Sequence, residues 1–446
     1  DAGRPDQCSR RGGHLTDSAA NLISGFETRQ VGESGQLHVR SENRRKTSHL
    51  NLTWVADLGP HNARRCLIPA CLLRGTQQHP SQRELNRRSE QLWGLSTSSS
   101  THRSGQRHLF SITAEFPDDA NLPEGEAVLE DAIDFLWQLI HEPHLVNEVF
   151  PSDIVESEIL QHRRLIEGAI DNKAAWAQQR CMEEACFDEP WRFHHLGKTD
   201  DLEGLDNIEM TRRWRDVVEN NPLHVHFSGN LDPEEVFGRL ERLFSGNKAS
   251  KDALTEPCAI RASENPRELT EYAKVQQANL IMALRTMVSR GHHLEEPLMI
   301  ANGILGGFAH SRLFTQVREK ESLCYSIHSN VDNNTGLMTI GSGVDGDAAD
   351  RARESILEQV EFVKAGKFSD EEFGMTMSAW DSRLRMVQDS PGALADFDLR
   401  SRISKRDPSI EALRSRIAGV KREDVVEAME LLHLDMTYLL APEETN

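Results

Sequence analysis

The chain of 446 residues contains no run of 18 apolar residues, so no stretch of it is suited to cross a bilayer as a helix. Positive charge is in short supply: 51 Lys and Arg stand against 71 Asp and Glu, a formal net charge of −20. That balance disfavours nucleic acid and anionic membrane as partners and favours solubility. Cysteine offers no framework either. Cys8, Cys66, Cys71, Cys181, Cys186, Cys258 and Cys324 are odd in number and include no C-x-x-C pair, so neither a disulfide scaffold nor a thiolate zinc site is indicated. A reducing, cytoplasmic setting is the expectation. The basic residues near the N-terminus are followed by no apolar segment of the kind a signal peptide needs. The G-x-x-x-x-G-K-[ST] phosphate loop, a G-x-G-x-x-G turn after a strand, and the G-x-S-x-G nucleophile elbow are all missing.

What remains is globular. Apolar residues make up 38% and charged residues 27%, which suits a packed soluble chain, and the length calls for at least two domains. Residues 1–30 read as a loose polar arm. Gln36–Arg40 and His49–Ala56 read as a hairpin around a polar turn, with Leu50, Leu52 and Trp54 alternating. Helices are expected over 62–73 and 81–93, then a polar turn, then a strand over 108–116. Leu129, Ile133, Leu136 and Ile140 share one face of an amphipathic helix opened by Pro123. One long polar helix is expected from Phe150 to Phe187. Leu223, Val225 and Phe227 alternate as a strand, and Asp232-Pro-Glu-Glu caps a helix ending at Gly246. Residues 247–266 form a polar linker.

Beyond the linker the same order of elements recurs. The strand 278–285 answers to 49–56, the helix 298–307 to 67–75, and the strand 337–343 to 108–116. A helix carrying Ile356, Val360 and Val363 answers to 129–140, and the capping box at Phe368-Ser-Asp-Glu-Glu answers to Phe150-Pro-Ser-Asp. The fold expected is α+β with two duplicated domains, 31–246 and 267–446, each a mainly antiparallel sheet packed with helices.

Nineteen histidines prompt a search for metal ligands. His141/His144, His194/His195, His292/His293 and the Glu158/His162 pair each fail to complete H-E-x-x-H, H-x-x-E-H or a closed Cys/His set, and read as surface histidines. Of all the polar residues, Arg318 and Tyr325 form the most suggestive pair. Leu313, Phe314 and Val317 mark a short helix, and Tyr325, Ile327, Ser329 and Val331 an alternating strand. The join brings a guanidinium fork near a phenol, where the two could hold a backbone carbonyl.

The stretch Leu305-Gly-Gly-Phe-Ala-His-Ser-Arg-Leu-Phe-Thr-Gln-Val-Arg-Glu-Lys-Glu-Ser-Leu-Cys-Tyr325 resembles the second-domain signature of the insulinase/pitrilysin family of zinc peptidases. There an Arg and a Tyr at this spacing hold substrate backbone over an active site on another domain. The resemblance covers roughly residues 30–446 and implies the same substrate-binding role for Arg318 and Tyr325. Active members carry H-x-x-E-H on the first helix, as in HFLEHMLFKGT. Here the matching text is Cys66-Leu-Ile-Pro-Ala-Cys-Leu-Leu-Arg-Gly-Thr76, with Cys66, Pro69 and Ala70 in place of ligand, base and ligand. Proline cannot accept a proton and alanine cannot bind metal, so Cys66 with Glu156 or Glu158 would leave zinc short of ligands. No catalytic residue, metal site or cofactor is expected in this chain. The text from Leu72-Leu-Arg-Gly-Thr through Leu92-Trp-Gly94 resembles the family's bacterial non-catalytic subunits. That likeness implies pairing with a catalytic, zinc-bearing homologue and peptide as the other partner. An active peptidase with unrecognised ligands and a purely structural subunit, as in a respiratory cytochrome complex, are the rivals.

Overall fold

A computed structural model of the chain describes residues 25–262 and 265–443. Residues 1–24 of the expected arm, with Cys8, lie outside the described residues, as do Ser263 and Glu264 of the linker. Within the stretch read as arm, Glu27–Val31 is a strand.

The first half runs β1 (Glu27–Val31), β2 (Gly35–Ser41), β3 (Thr47–Asp57), α1 (Asn62–Leu72), α2 (Gln82–Gln91), β4 (Ser96–Ser104), β5 (Arg107–Pro117), α3 (Leu129–His141), α4 (Ser152–Asp171), α5 (Lys173–Ala185), α6 (Asn207–Asn220), β6 (Leu223–Gly229) and α7 (Pro233–Leu240). The second half runs β7 (Arg267–Ala273), β8 (Ala278–Arg285), α8 (Glu295–Asn302), a π-helical segment Leu313–Lys320, β9 (Cys324–Asp332), β10 (Leu337–Val344), α9 (Ala349–Lys364), α10 (Asp370–Gln388), α11 (Pro391–Ile403), α12 (Ile410–Ala418), α13 (Arg422–Glu430) and β11 (His433–Pro442).

Two sheets result, ordered β1-β2-β6-β3-β5-β4 and β7-β11-β8-β10-β9. Setting β1 aside, the orders superimpose strand for strand. The pairings match as well: β2 with β6 and β7 with β11 are parallel, and every other contact is antiparallel. The duplication read from element order is therefore present in the hydrogen-bonded topology.

Four local readings need correction. Residues 35–57 do not form a hairpin, because β6 is inserted between β2 and β3. Every residue of β6 is buried, and a strand buried on both faces needs a partner along each edge. The "polar turn" before residue 108 contains β4, whose Ser/Thr-rich text has no apolar alternation because it is a largely exposed edge strand. The long helix to Phe187 is two helices, broken at Asn172, whose side chain caps α5 by accepting from the Ala175 N–H. The amphipathic helix also starts later than Pro123: Asp119 Oδ1 accepts from the Val128 and Leu129 N–H groups, fixing the first turn at Leu129.

The break at Asn172 has a large consequence. Each sheet packs its own helices on one face around its own apolar core. The other face is covered by a helix from the opposite half. α5 lays Ala177, Cys181 and Met182 on Ile281, Ala283, Met436 and Tyr438 of the second sheet. α11 returns the exchange, placing Leu399 against Val55 and Leu109 of the first. The two helices follow α4 and α10, the equivalent positions of the repeat, so the halves clasp each other reciprocally.

Candidate functional site

Cys66, Pro69 and Ala70 lie on α1, where the metal ligands and base of a zinc peptidase would stand. Pro69 sits inside the helix and brings no N–H and no acid–base group. The Cys66 sulfur is buried, 3.3 Å from the His195 carbonyl and 3.9 Å from His108 Nε2. Burial pushes its thiol up to about 12, so it stays protonated and unreactive at neutral pH. Of the two candidate glutamates, Glu156 is exposed, while Glu158 is buried and ion-paired with Arg74 at 2.6 Å. No group of three metal donors forms around Cys66 among the described residues. The loop carrying His194–Gly197 seals the remnant: Gly197, at φ +74°, comes so close to Ala63 that a Cβ would strike its backbone nitrogen.

The surface reading of the histidines holds for His292 and His293 but not for all. His162 is buried and donates through Nε2 to the Leu196 carbonyl at 2.8 Å, and His141 reaches the Leu243 carbonyl at 3.2 Å. Burial pushes His108 and His195 down to about 3 and His194 to about 4. These imidazoles are neutral in the folded chain, while in the unfolded chain they take up protons near pH 6.5. Stability from them is therefore complete above pH 6.5 and lost as pH falls toward 3. The fully buried His108 alone contributes a slope of roughly 1.4 kcal/mol per pH unit over that window. Urea midpoints measured from pH 7 to pH 4 should fall, and His108→Gln should flatten the decline.

Arg318 and Tyr325 are brought together as the spacing suggested. The π-helical segment Leu313–Lys320 buries Leu313 and Val317 and ends beside β9. Arg318 Nε donates to the carbonyl of Tyr325 at 2.9 Å, and its guanidinium lies 4.4 Å from the Phe314 ring centre. Its two terminal nitrogens have no hydrogen-bond partner among the described residues. The Tyr325 ring is 64% exposed, and its hydroxyl donates to Asp345, 3.2 and 3.3 Å from the two carboxylate oxygens. With Ser322, held at φ +55°, these groups line a recess of about 400 Å³. Asp345 was not singled out by sequence, because it lies 20 residues from Tyr325 on the far side of β10.

A larger feature lies between the two sheets. β4 and β9 are both edge strands, each paired on one side only. His102 and Arg103 of β4 and Ser326, His328 and Asn330 of β9 border one cavity of about 600 Å³, floored by Gln178 of α5. His195, whose carbonyl covers Cys66, also lines it, so the cavity runs between the metal-less helix and the strand that starts at Cys324. Its walls come from positions more than 200 residues apart, which no local motif reports.

The fold is a duplicated α+β arrangement of two sheets with helices, of the kind seen in M16-like peptidase structures. Residues 218–379 match the peptidase M16 inactive domain. The chain is 27% identical over 404 residues to the probable inactive metalloprotease YmfF of Bacillus subtilis, spanning 90% of this chain and 95% of that one. A conserved protein from Enterococcus faecalis V583 has the same fold, with a TM-score of 0.87 at 24% identity over 95% of this chain and 100% of that one. A peptidase M16 inactive domain from Pseudomonas fluorescens shares it too, with a TM-score of 0.75 at 14% identity over 94% and 99%. In sequence and in fold the chain is similar to inactive members of the M16 metallopeptidase family.

Proposed function

We propose that the chain binds extended peptide in the cavity between β4 and β9 and serves as the non-catalytic half of a heteromeric zinc peptidase. The observation that carries this reading is the pairing of a disabled α1 with an open groove between two free strand edges. An unpaired edge offers alternating N–H and C=O groups to an incoming extended backbone. Arg318 and Tyr325, at the start of β9, add a charged fork and a phenol at one end, suited to carbonyl oxygens of the peptide or of its attacked bond. A zinc ion and its general base would come from the partner.

A structural role is the second reading. It is favoured by the internal engagement of the pair, with Arg318 on the Tyr325 carbonyl and the phenol on Asp345. Co-expression with an H-x-x-E-H-bearing M16 homologue from the same genome discriminates. The functional reading expects stable co-elution and cleavage of an unstructured peptide only by the pair, with neither chain active alone. Co-elution without any gain in cleavage would select the structural role, and cleavage by the purified chain alone would defeat both.

A further inference from the structure

The first sheet has a polar face that is nonetheless buried. Leu37, Val39, Leu223, Val225 and Phe227 point to the apolar core. The alternate positions put His38 of β2 and His224 and His226 of β6 on the opposite face, under α11. His38 and His226 are direct neighbours in the parallel register, their rings stacked with centres 4.1 Å apart. Asp398 reaches them from α11, and all three residues are buried.

The donor atoms converge. His226 Nε2 lies 3.0 Å from Asp398 Oδ2 and His38 Nδ1 lies 3.8 Å from it, with all three atoms within 4.8 Å of one another. Donors bound at about 2.0–2.1 Å to one tetrahedral ion stand roughly 3.4 Å apart. The observed separations bracket that value, so small side-chain rotations would close the set on a single ion.

The surroundings suit ligation. His38 Nε2 is 3.2 Å from His224 Nδ1, and an N–H donated there leaves the Nδ1 lone pair of His38 facing inward. Arg402 holds the carboxylate, donating through Nε to Oδ2 at 2.6 Å and through Nη2 to Oδ1 at 3.1 Å, and its part-exposed guanidinium is screened by solvent. Thr28, exposed on β1, places its hydroxyl 2.9 Å from His38 Nδ1, giving a fourth donor and a route from solvent.

We infer that His38, His226 and Asp398 form a site for a divalent transition-metal ion of the zinc, cobalt or nickel type that staples the two halves of the chain. Two nitrogen ligands and one carboxylate favour such ions over calcium or magnesium. The ligands come from β2, β6 and α11, so the ion would lock the return half of the reciprocal clasp. The site is separate from α1 and does not rest on the peptide-binding reading.

The test uses the full chain, stripped with chelator and loaded with Co²⁺. One equivalent should survive desalting and give visible d–d absorption, and Zn²⁺ should displace it and raise the thermal midpoint by several degrees. His38→Gln and Asp398→Asn should each weaken retention more than about tenfold, while a His292→Asn/His293→Asn variant keeps the full equivalent. Absence of the cobalt spectrum in the wild-type chain would overturn the inference by itself, whether or not the variants fold. So would undiminished retention by folded His38→Gln and Asp398→Asn.

Discussion

Arg285→Ala should lower the free energy of unfolding by about 3–5 kcal/mol, the loss expected when one partner of a buried ion pair is removed. Arg285 stands on β8, 2% exposed, and donates through Nη1 and Nη2 to the two carboxylate oxygens of Glu189 at 2.9 and 2.7 Å. Nε serves Asp435 at 2.8 Å, and Nη2 also meets the carbonyl of Ala185 at the end of α5. Glu189 and Ala185 belong to the first half of the chain, so this side chain fastens α5 to the second sheet. Alanine leaves the buried carboxylate of Glu189 without its cation, and desolvation then works against folding. Urea unfolding at pH 7 should show a lowered midpoint. Combining Arg285→Met with Glu189→Gln should recover much of the loss, because the buried Glu189 charge is then gone.

The second large effect concerns ligand rather than stability. Replacing Arg318 by alanine and Tyr325 by phenylalanine together should weaken binding of an unstructured fluorescent peptide by roughly 100-fold, since hydrogen bonds to a charged group contribute about 1.5–3 kcal/mol each. Both side chains are at least partly exposed, and their removal strands no buried partner, so the thermal midpoint should stay within a degree or two of wild type. Asp345→Asn is the informative companion. Tyr325 now directs its one phenolic proton to Asp345, and a neutral partner competes less for it. Peptide affinity should therefore hold or rise in that variant. Equal peptide affinity in wild type and double variant, measured by anisotropy, would remove the pair from the binding role.

Much of the fold was written in local signals. The capping box at Ser369 and Glu372, the Asp232 cap before Pro233, and the alternation of Leu223, Val225 and Phe227 are all present as read. The repeat could be seen without appreciable identity because strand and helix periods survive when residues change. The failures share one cause, which is non-local pairing. Nothing in residues 35–57 announces that β6, more than 150 residues later, will come between β2 and β3. The Ser/Thr text of β4 has no core face to display. Helix periodicity ran through Asn172 without a break, since its capping role is visible only once α5 turns away. The same holds for the site. The lack of an H-x-x-E-H motif at Cys66–Ala70 and the approach of Arg318 to Tyr325 were both legible, being contained in short stretches. Arg74 on Glu158, Asp345 on Tyr325, the groove between β4 and β9, and the meeting of His38, His226 and Asp398 depend on tertiary packing.

In the proposed arrangement Arg318 and Tyr325 position substrate for a zinc-bearing partner. The most direct measurement is the steady-state cleavage rate of the reconstituted pair with wild-type chain and with the Arg318→Ala/Tyr325→Phe variant, at equal partner occupancy. The variant should lower kcat/KM at least tenfold with the complex intact. An unchanged rate from an intact complex would contradict that arrangement and leave this chain a structural subunit.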